Sequence, residues 1–313
     1  MSKLGLPPVQ TWAPSMLRRG PRNAEQMFPG SSGKSWFGKM PWLTKLCFLW
    51  LILVILAAAL ADLIPGLADP NYQGFVFGEG KTNEGPTASH WLGTDNVSRD
   101  ILARLIYGAR VSLIFAFSLV AIGIIVGGTL GSIAGYFRGL LETFLMALVD
   151  TWLSFPALIG LVFITTMLGM RNLLVLVLVG AVFVWPSYTR IARATALSVS
   201  GQDFVTAARA IGTSRKRILI REIFPNVLPA LLAYSLVGLP VLIILESTLS
   251  FLGLGVEIPT ASWGGMINQA RQDLLINIWP AVWPAVTLFM TVYSFNNLAD
   301  WVRTQAATRS AAI

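Results

Sequence analysis

Cysteine and histidine are almost missing from this sequence. With Cys47 alone no disulfide can form within the chain, and with His90 alone a histidine-rich metal site is impossible. Charge is scarce too: Asp, Glu, Lys and Arg make up 12% of the 313 residues, hydrophobic types make up 55%, and mean hydropathy is +0.67. So few polar residues cannot cover a globule of this length in water, which excludes the soluble class and points to an integral membrane protein. Acidic residues are the rarer sign, 15 against 23 basic, giving a formal net charge of +8. That excess would suit nucleic acid, but its placement does not. Lys3, Arg18, Arg19, Arg22, Lys34, Lys39 and Lys45 precede the first apolar run, and seven more basic residues lie between Arg190 and Arg221. Basic clusters beside apolar runs mark the cytoplasmic side of a membrane, not a nucleic-acid stripe.

Recognisable catalytic machinery is lacking as well. Gly33, Lys34 and Ser35 end like a phosphate-binding loop, yet Phe28 stands where its first glycine is needed, and no strand precedes it. No nucleophile and base are paired in a pattern that would suggest a membrane-embedded enzyme. The expectation is a chain without a catalytic, cofactor or metal site of its own.

Long apolar runs are what the sequence does have. Residues 1–45 read as a basic cytoplasmic tail, with a short interfacial helix near Trp36–Trp42. The first span is expected at Leu46–Ile64. Its long basic prelude argues against a cleaved signal peptide, despite Ala57, Ala58 and Ala59. Residues 65–110 carry Asp69, Glu79, Glu84, Asp95 and Asp100 and read as an extracytoplasmic segment with structure of its own. Asp95 can cap a turn there, and Asp100 with Arg104 can pair at i,i+4 on a surface helix.

Further spans are expected at Val111–Tyr136, Thr143–Leu168, Leu173–Ile191, Asn226–Leu254 and Ala281–Val302, so that residues 111–302 form a core and 303–313 a cytoplasmic tail. The second span carries Gly123, Gly127, Gly131 and Gly135 at a four-residue spacing, which lets another helix approach to backbone contact; packing is preferred over a pore-lining role. Pro229, Gly238 and Pro240 should bend the fifth span. At 1.5 Å per residue it would run about 44 Å, so its excess must leave the bilayer or line a cavity. Six spans place both termini in the cytoplasm, and 17 of the 23 Lys and Arg then fall on the inner side.

Ser200–Pro225 is the one amphipathic basic stretch between these runs. Ser200 and Asp203 read as a capping-box start, and Phe204, Ala207, Ala208 and Ile211 make a narrow apolar stripe. Gly212 supplies the left-handed residue that ends this helix. Thr213 or Ser214 can cap a second helix carrying Arg215, Lys216, Arg217 and Arg221 until Pro225 breaks it. A plain cytoplasmic loop would also carry this charge.

The order of two alanines, three residues, Gly212 and then Pro225 resembles the EAA loop of ABC-importer permeases, by which the membrane subunit docks on its ATPase. Thr206 stands where that family usually has glutamate, and Glu222 where its peptide branch often has histidine. Residues His90–Leu113, with Leu-Gly-Thr-Asp and Arg-Asp, are similar to the start of the C-type permease of dipeptide and oligopeptide importers. Glu246-Ser-Thr-Leu-Ser-Phe-Leu-Gly-Leu-Gly255, with Pro259 and Ser262-Trp263-Gly264, resembles the segment that closes the outer end of the pathway in that branch. Asn296, Asn297 and Asp300 resemble the family's last helix, with Ala299-Asp300 in place of Gly-Asp and no following Asp-Pro-Arg.

The resemblance covers about residues 88–302. It implies an all-α integral membrane protein with six transmembrane helices in the bundle of type I ABC-importer permeases, in a bacterial inner membrane. It implies coupling to ATP hydrolysis through Asp203, Phe204, Thr206, Ala207, Ala208, Ile211, Gly212, Arg215, Lys216 and Arg217. The partners implied are a homologous B-type permease, two ATP-binding subunits that hold ATP and Mg, and an extracytoplasmic peptide-binding protein, with rocking of two bundles giving alternating access. Peptides, nickel chelates and other small solutes are carried by such relatives, and no substrate-binding residue is identified.

Three charged residues are expected to be buried: Asp150, and Arg190 or Arg193 as its partner. Arg110 and Glu246, at matching depth, are the candidate outer gate. Asp150 and Glu246 are also the carboxylates that the rival reading, a proton-coupled secondary transporter, would use as carriers. That rival has no use for a docking segment, and no clear internal repeat supports it.

Overall fold

The computed structural model describes residues 40–78 and 80–310, with side chains to 305. The interfacial helix near Trp36–Trp42 and the loop-like Gly33-Lys34-Ser35 fall wholly or largely outside the described residues. Nine helices account for most of the described residues: α1 Trp42–Ala59, α2 Ile101–Phe137, α3 Leu140–Leu153, α4 Ala157–Leu168, α5 Leu173–Ser200, α6 Asp203–Ala210, α7 Arg215–Phe251, α8 Trp263–Ala270 and α9 Trp279–Ser310. Among the described residues the sole β pairing is an isolated bridge between Thr94 and Asp100.

Four of these helices, α1, α2, α5 and α7, are long and apolar enough to cross a membrane, and α3 with α4 makes a fifth if the bent pair counts as one span. The span expected at Thr143–Leu168 is broken in the middle: its halves meet at 77°. Pro156 is the cause. Its ring disfavours the helical conformation at Phe155, so α3 ends at Leu153 and a new helix starts at Ala157. The last helix, α9, has 32 residues but is less apolar, with Trp279, Pro280, Trp283, Pro284, Asn296 and Asn297 along it.

Other boundaries move for local reasons. Helix α1 spans Trp42–Ala59 and gives way to a tight turn at Ala61–Leu63, because Pro65 forces Ile64 into an extended conformation. The second span does not begin at Val111. Asp100 caps it at Ile101 by accepting from the Ala103 amide at 2.7 Å, and the helix runs 37 residues to Phe137. Helix α5 continues past Ile191 to Ser200 with Pro186 inside it.

Pro225 does not break the helix that follows Gly212. Arg215–Phe251 is one 37-residue helix, continuous through Pro225, Pro229 and Pro240. A wide turn at Leu219–Ile223, where the Phe224 amide reaches back to the Leu219 carbonyl, precedes Pro225 and loosens the backbone where its ring would otherwise collide.

Two apolar clusters organise the bundle. One joins α1, α2, α5, α7, α8 and α9 around Phe115, Leu119, Ile243 and Trp263, all fully buried. The Trp50 indole donates to Thr291 Oγ1 at 3.1 Å and ties α1 to α9. The second cluster, around Tyr136, Tyr188, Ala192, Val205, Ile218 and Ile223, joins the far ends of α2, α5 and α7 to the short helix α6.

The glycine stripe is spent inside the chain, against α5. A Cβ on Gly127 would stand 2.5 Å from the Trp185 carbonyl, and one on Gly135 would stand 2.6 Å from that of Arg193; Gly123 and Gly131 meet Tyr188 and Thr189 in the same way. A four-residue repeat runs ahead of a regular helix by about 40° per step. The wide turn at Gly123–Gly127 takes up part of that drift, which keeps all four glycines on the α5 side.

Candidate functional site

The segment 200–217 folds as helix, glycine and helix. The capping-box start is corrected: the Ser200 hydroxyl donates to the Ala196 carbonyl at 2.5 Å as the last turn of α5, and α6 begins at Asp203 after Gln202. At its other end Gly212 lies at φ +77°, and the Thr213 amide reaches the Ala208 carbonyl at 3.0 Å, the closure that needs a left-handed residue. Ser214 stands at the N-cap of α7 with no side-chain bond to an amide.

Burial divides this element in two. Val205 and Ile218 are fully buried and key it into the second cluster, whereas Phe204, Thr206, Ala207 and Ile211 are exposed and Ala208 is half-buried. Ile211 is 82% exposed, an apolar side chain held in the open next to Arg215, Lys216 and Arg217, which are exposed too. Val205 is the residue that the sequence reading missed. The signal was its place one residue beyond Phe204, about 100° round the helix and so off the stripe.

The expected buried charges are corrected in part. Arg190 Nη2 donates to Asp150 Oδ1 at 2.5 Å, so the pair forms, but both side chains are more than half exposed. Arg193 does not join it; its guanidinium pairs with Glu142, whose side chain is 16% exposed. Glu142 lies in the first turn of α3, just ahead of the span expected from Thr143, and reaches α5 through Arg193.

Arg110 and Glu246 do not meet. Arg110 donates to Asp62 at 3.0 Å and to the Ala58 carbonyl at 2.9 Å, at the end of α1. Asp62, outside the helices, is held below the usual carboxylate range by the Tyr107 hydroxyl bond and then by Arg110. Glu246 is fully buried and bound by hydroxyls: Ser112 from α2 and Ser250 from its own helix each donate at 2.6 Å, and Ser247 and Ser262 also reach it. The two carboxylates of the proton-carrier reading, Asp150 and Glu246, thus sit in separate networks with no common partner.

Two arginines join the segment before α2 to α8 and to the loop that precedes it. Arg99 donates to Asp95 Oδ2 and to Gln269 Oε1, each at 2.7 Å. Arg104, fully buried, does not pair with Asp100 as expected; it donates to the Pro70 and Pro259 carbonyls and to Gln269 Oε1, each at 3.2 Å. Asp100 instead binds His90 at 2.9 Å. Asp95 caps its turn as expected, accepting from the Val97 and Arg99 amides. Close by, Trp263 donates to the Leu105 carbonyl at 3.1 Å, and Gly264 lies directly against Ser247, so α8 is seated on both α2 and α7. The three stretches singled out in the sequence before α2, at the end of α7 and around Ser262 therefore form one connected end of the bundle.

Residues 127–309 match a family model described as "Binding-protein-dependent transport system inner membrane component". Among curated proteins, the chain is 34% identical over 257 residues to the glutathione transport system permease protein GsiD of Pectobacterium atrosepticum, covering 82% of this chain and 83% of that one. It is 36% identical over 255 residues to the proteins of that name from Escherichia coli O6:K15:H31 and Shigella boydii serotype 4, covering 82% of each chain.

Proposed function

The chain belongs to the inner-membrane components of binding-protein-dependent transport systems, as a multi-pass permease subunit, and from that premise we propose that it is the C-type permease of an ATP-driven peptide importer. A small peptide of the glutathione class is the substrate that its relatives' names favour. Six spans, α1, α2, α3 with α4, α5, α7 and α9, carry the chain across and leave both termini in the cytoplasm. The basic clusters at 190–221 support that orientation.

One observation carries the mechanism: an apolar stripe and three adjacent cations are exposed on an element whose Val205 and Ile218 are locked into the bundle. An element that is rigid on one side and unpaired on the other suits a subunit that pushes. ATP-binding subunits grip Phe204, Ala207 and Ile211, and their movement reaches α5 and α7 through the second cluster. A homologous B-type permease supplies the other half of the pathway, and an extracytoplasmic binding protein delivers the peptide.

Glu246 belongs to the outer end under this reading. It holds α2, α7 and the Ser262 turn together without a cation, so the closed end rests on hydroxyl bonds in place of an ion pair. Copurification with substrate-stimulated ATPase assays tests the whole reading. Gly212→Val strains a residue at positive φ and is expected to abolish stimulation; a variant complex with wild-type stimulation and uptake contradicts it.

A further inference from the structure

A cleft of about 650 Å3 opens between the end of α2, the end of α5 and α6. Its lining includes Tyr136, Arg138, Ser200, Arg209, Thr213 and Arg215, and no acidic residue contributes to it. Three guanidinium-bearing residues therefore share one cleft. Among the described residues neither Arg138 nor Arg215 forms an ion pair, while Arg209 lies over the Tyr136 ring at 5.4 Å and reaches the Ser200 carbonyl at 3.5 Å. Like charges gathered without counter-ions favour an anion between them, and arginine suits a phosphate through paired N–H donors.

Depth identifies the source of the phosphate. Arg110, bonded to the end of α1, and Arg138 are separated by 28 residues, about 42 Å of helix, which matches the roughly 40–45 Å of a bilayer with its headgroups. Apolar side chains flank Arg138 along the chain: Phe137, which lines the cleft, is 41% exposed, and Leu140, two residues on, is 91% exposed. Cations at headgroup level with exposed apolar neighbours one step away are the arrangement that a phospholipid fills.

We propose that this cleft binds the phosphodiester headgroup of an anionic phospholipid of the cytoplasmic leaflet. The leaflet rests on the orientation given above; the cleft and its charge do not. A headgroup there bridges Arg138 after α2, Arg209 on α6 and Arg215 at the start of α7. Lipid composition then sets how firmly the docking element is held.

The test uses the full chain with its copurified subunits, and native mass spectrometry in detergent with phosphatidylglycerol and phosphatidylcholine at equal concentration. Selective retention of phosphatidylglycerol is expected, falling about fivefold in Arg138→Gln, further in the double variant Arg138→Gln/Arg215→Gln, and little in Arg138→Lys. Equal retention of the two lipids, or a preference unchanged in the double variant, overturns the proposal. Displacement of phosphatidylglycerol by millimolar inorganic phosphate also overturns it, since the site is then one for a free anion. If Arg138→Gln strips ATP-binding subunits from the complex while the lipid ratio stays as in wild type, the arginines serve protein docking and the lipid assignment is wrong. Selective lipid retention by a chain that copurifies with no ATP-binding subunit would support the cleft and refute the transport reading alone.

Discussion

Ser112 on α2 and Glu246 on α7 are joined by a 2.6 Å hydroxyl–carboxylate bond in a fully buried setting. The carboxyl has no basic partner among the described residues, so its hydroxyl donors are what offsets its removal from water. Glu246→Leu leaves those hydroxyls without their acceptor and is expected to cost on the order of 1–3 kcal/mol. Glu246→Gln keeps an acceptor of the same shape and should recover most of the loss. Thermal unfolding of the purified chain checks both, and equal destabilisation by the two variants contradicts the role given to the hydroxyls.

Arg110 and Glu246 show what depth alone conveys. Counting residues placed them at similar levels, and Ser112, two residues past Arg110, does reach Glu246. Two residues on a helix are about 200° apart, however, so Arg110 faces α1 and Asp62 while Ser112 faces α7. Rotation about the helix axis is set by the packing partner, which a single sequence does not contain.

The Asp62 contact makes a prediction about acid. Its carboxyl is held low in the folded state, first by Tyr107 and then by Arg110, so its contribution is fully present above the usual carboxylate range and is lost as pH falls through the lowered value. Tyr107→Phe should move that loss to higher pH. An unfolding profile between pH 6 and pH 3 that is the same for variant and wild type would show that the contact has no such effect.

Gly131 faces α5 so closely that a Cβ would collide with the Thr189 carbonyl and stand 2.6 Å from Ala192 Cβ. Gly131→Leu is expected to cost more than about 3 kcal/mol and to lower the yield of monodisperse protein sharply. Gly238 is the control, since a Cβ there meets nothing nearer than 3.8 Å. Tolerance of leucine at Gly131 would mean that α2 and α5 do not pack along this stripe.

Arg190 and Asp150 form an exposed pair, for which a coupling of about 0.2–1 kcal/mol is expected. Reversing either charge alone should lower yield, and Asp150→Arg with Arg190→Asp should restore part of it. No recovery in the double variant would show that the two residues act separately.

Glycines and turn residues were the most legible features of the chain. Gly212 was readable as left-handed because a helix and a basic stretch flank it, and φ +77° agrees. The four-residue glycine stripe announced a close helix contact, though only the fold tells that α5 fills it. Proline misled in both directions: Pro225 follows a wide turn and stays inside a helix, whereas Pro156 breaks a span through Phe155. Within residues 203–217, the stripe of Phe204, Ala207 and Ile211 was visible as periodicity. That it stays exposed while Val205 is buried depends on how α6 lies against Tyr136, which shares the second cluster with Val205, packs under Arg209 and is distant in sequence.

Cross-linking at Ile211 bears most directly on the claim that residues 203–217 grip the ATP-binding subunits. Cys47 is buried and is the chain's one cysteine, so Cys47→Ala provides a background in which Ile211→Cys is a unique reactive thiol. In the assembled complex a short thiol-to-amine cross-linker is expected to join Ile211→Cys to an ATP-binding subunit, while Leu140→Cys, equally exposed on this chain, forms no such adduct. An intact, ATP-hydrolysing complex in which Ile211→Cys gives no adduct and Leu140→Cys does would contradict the account.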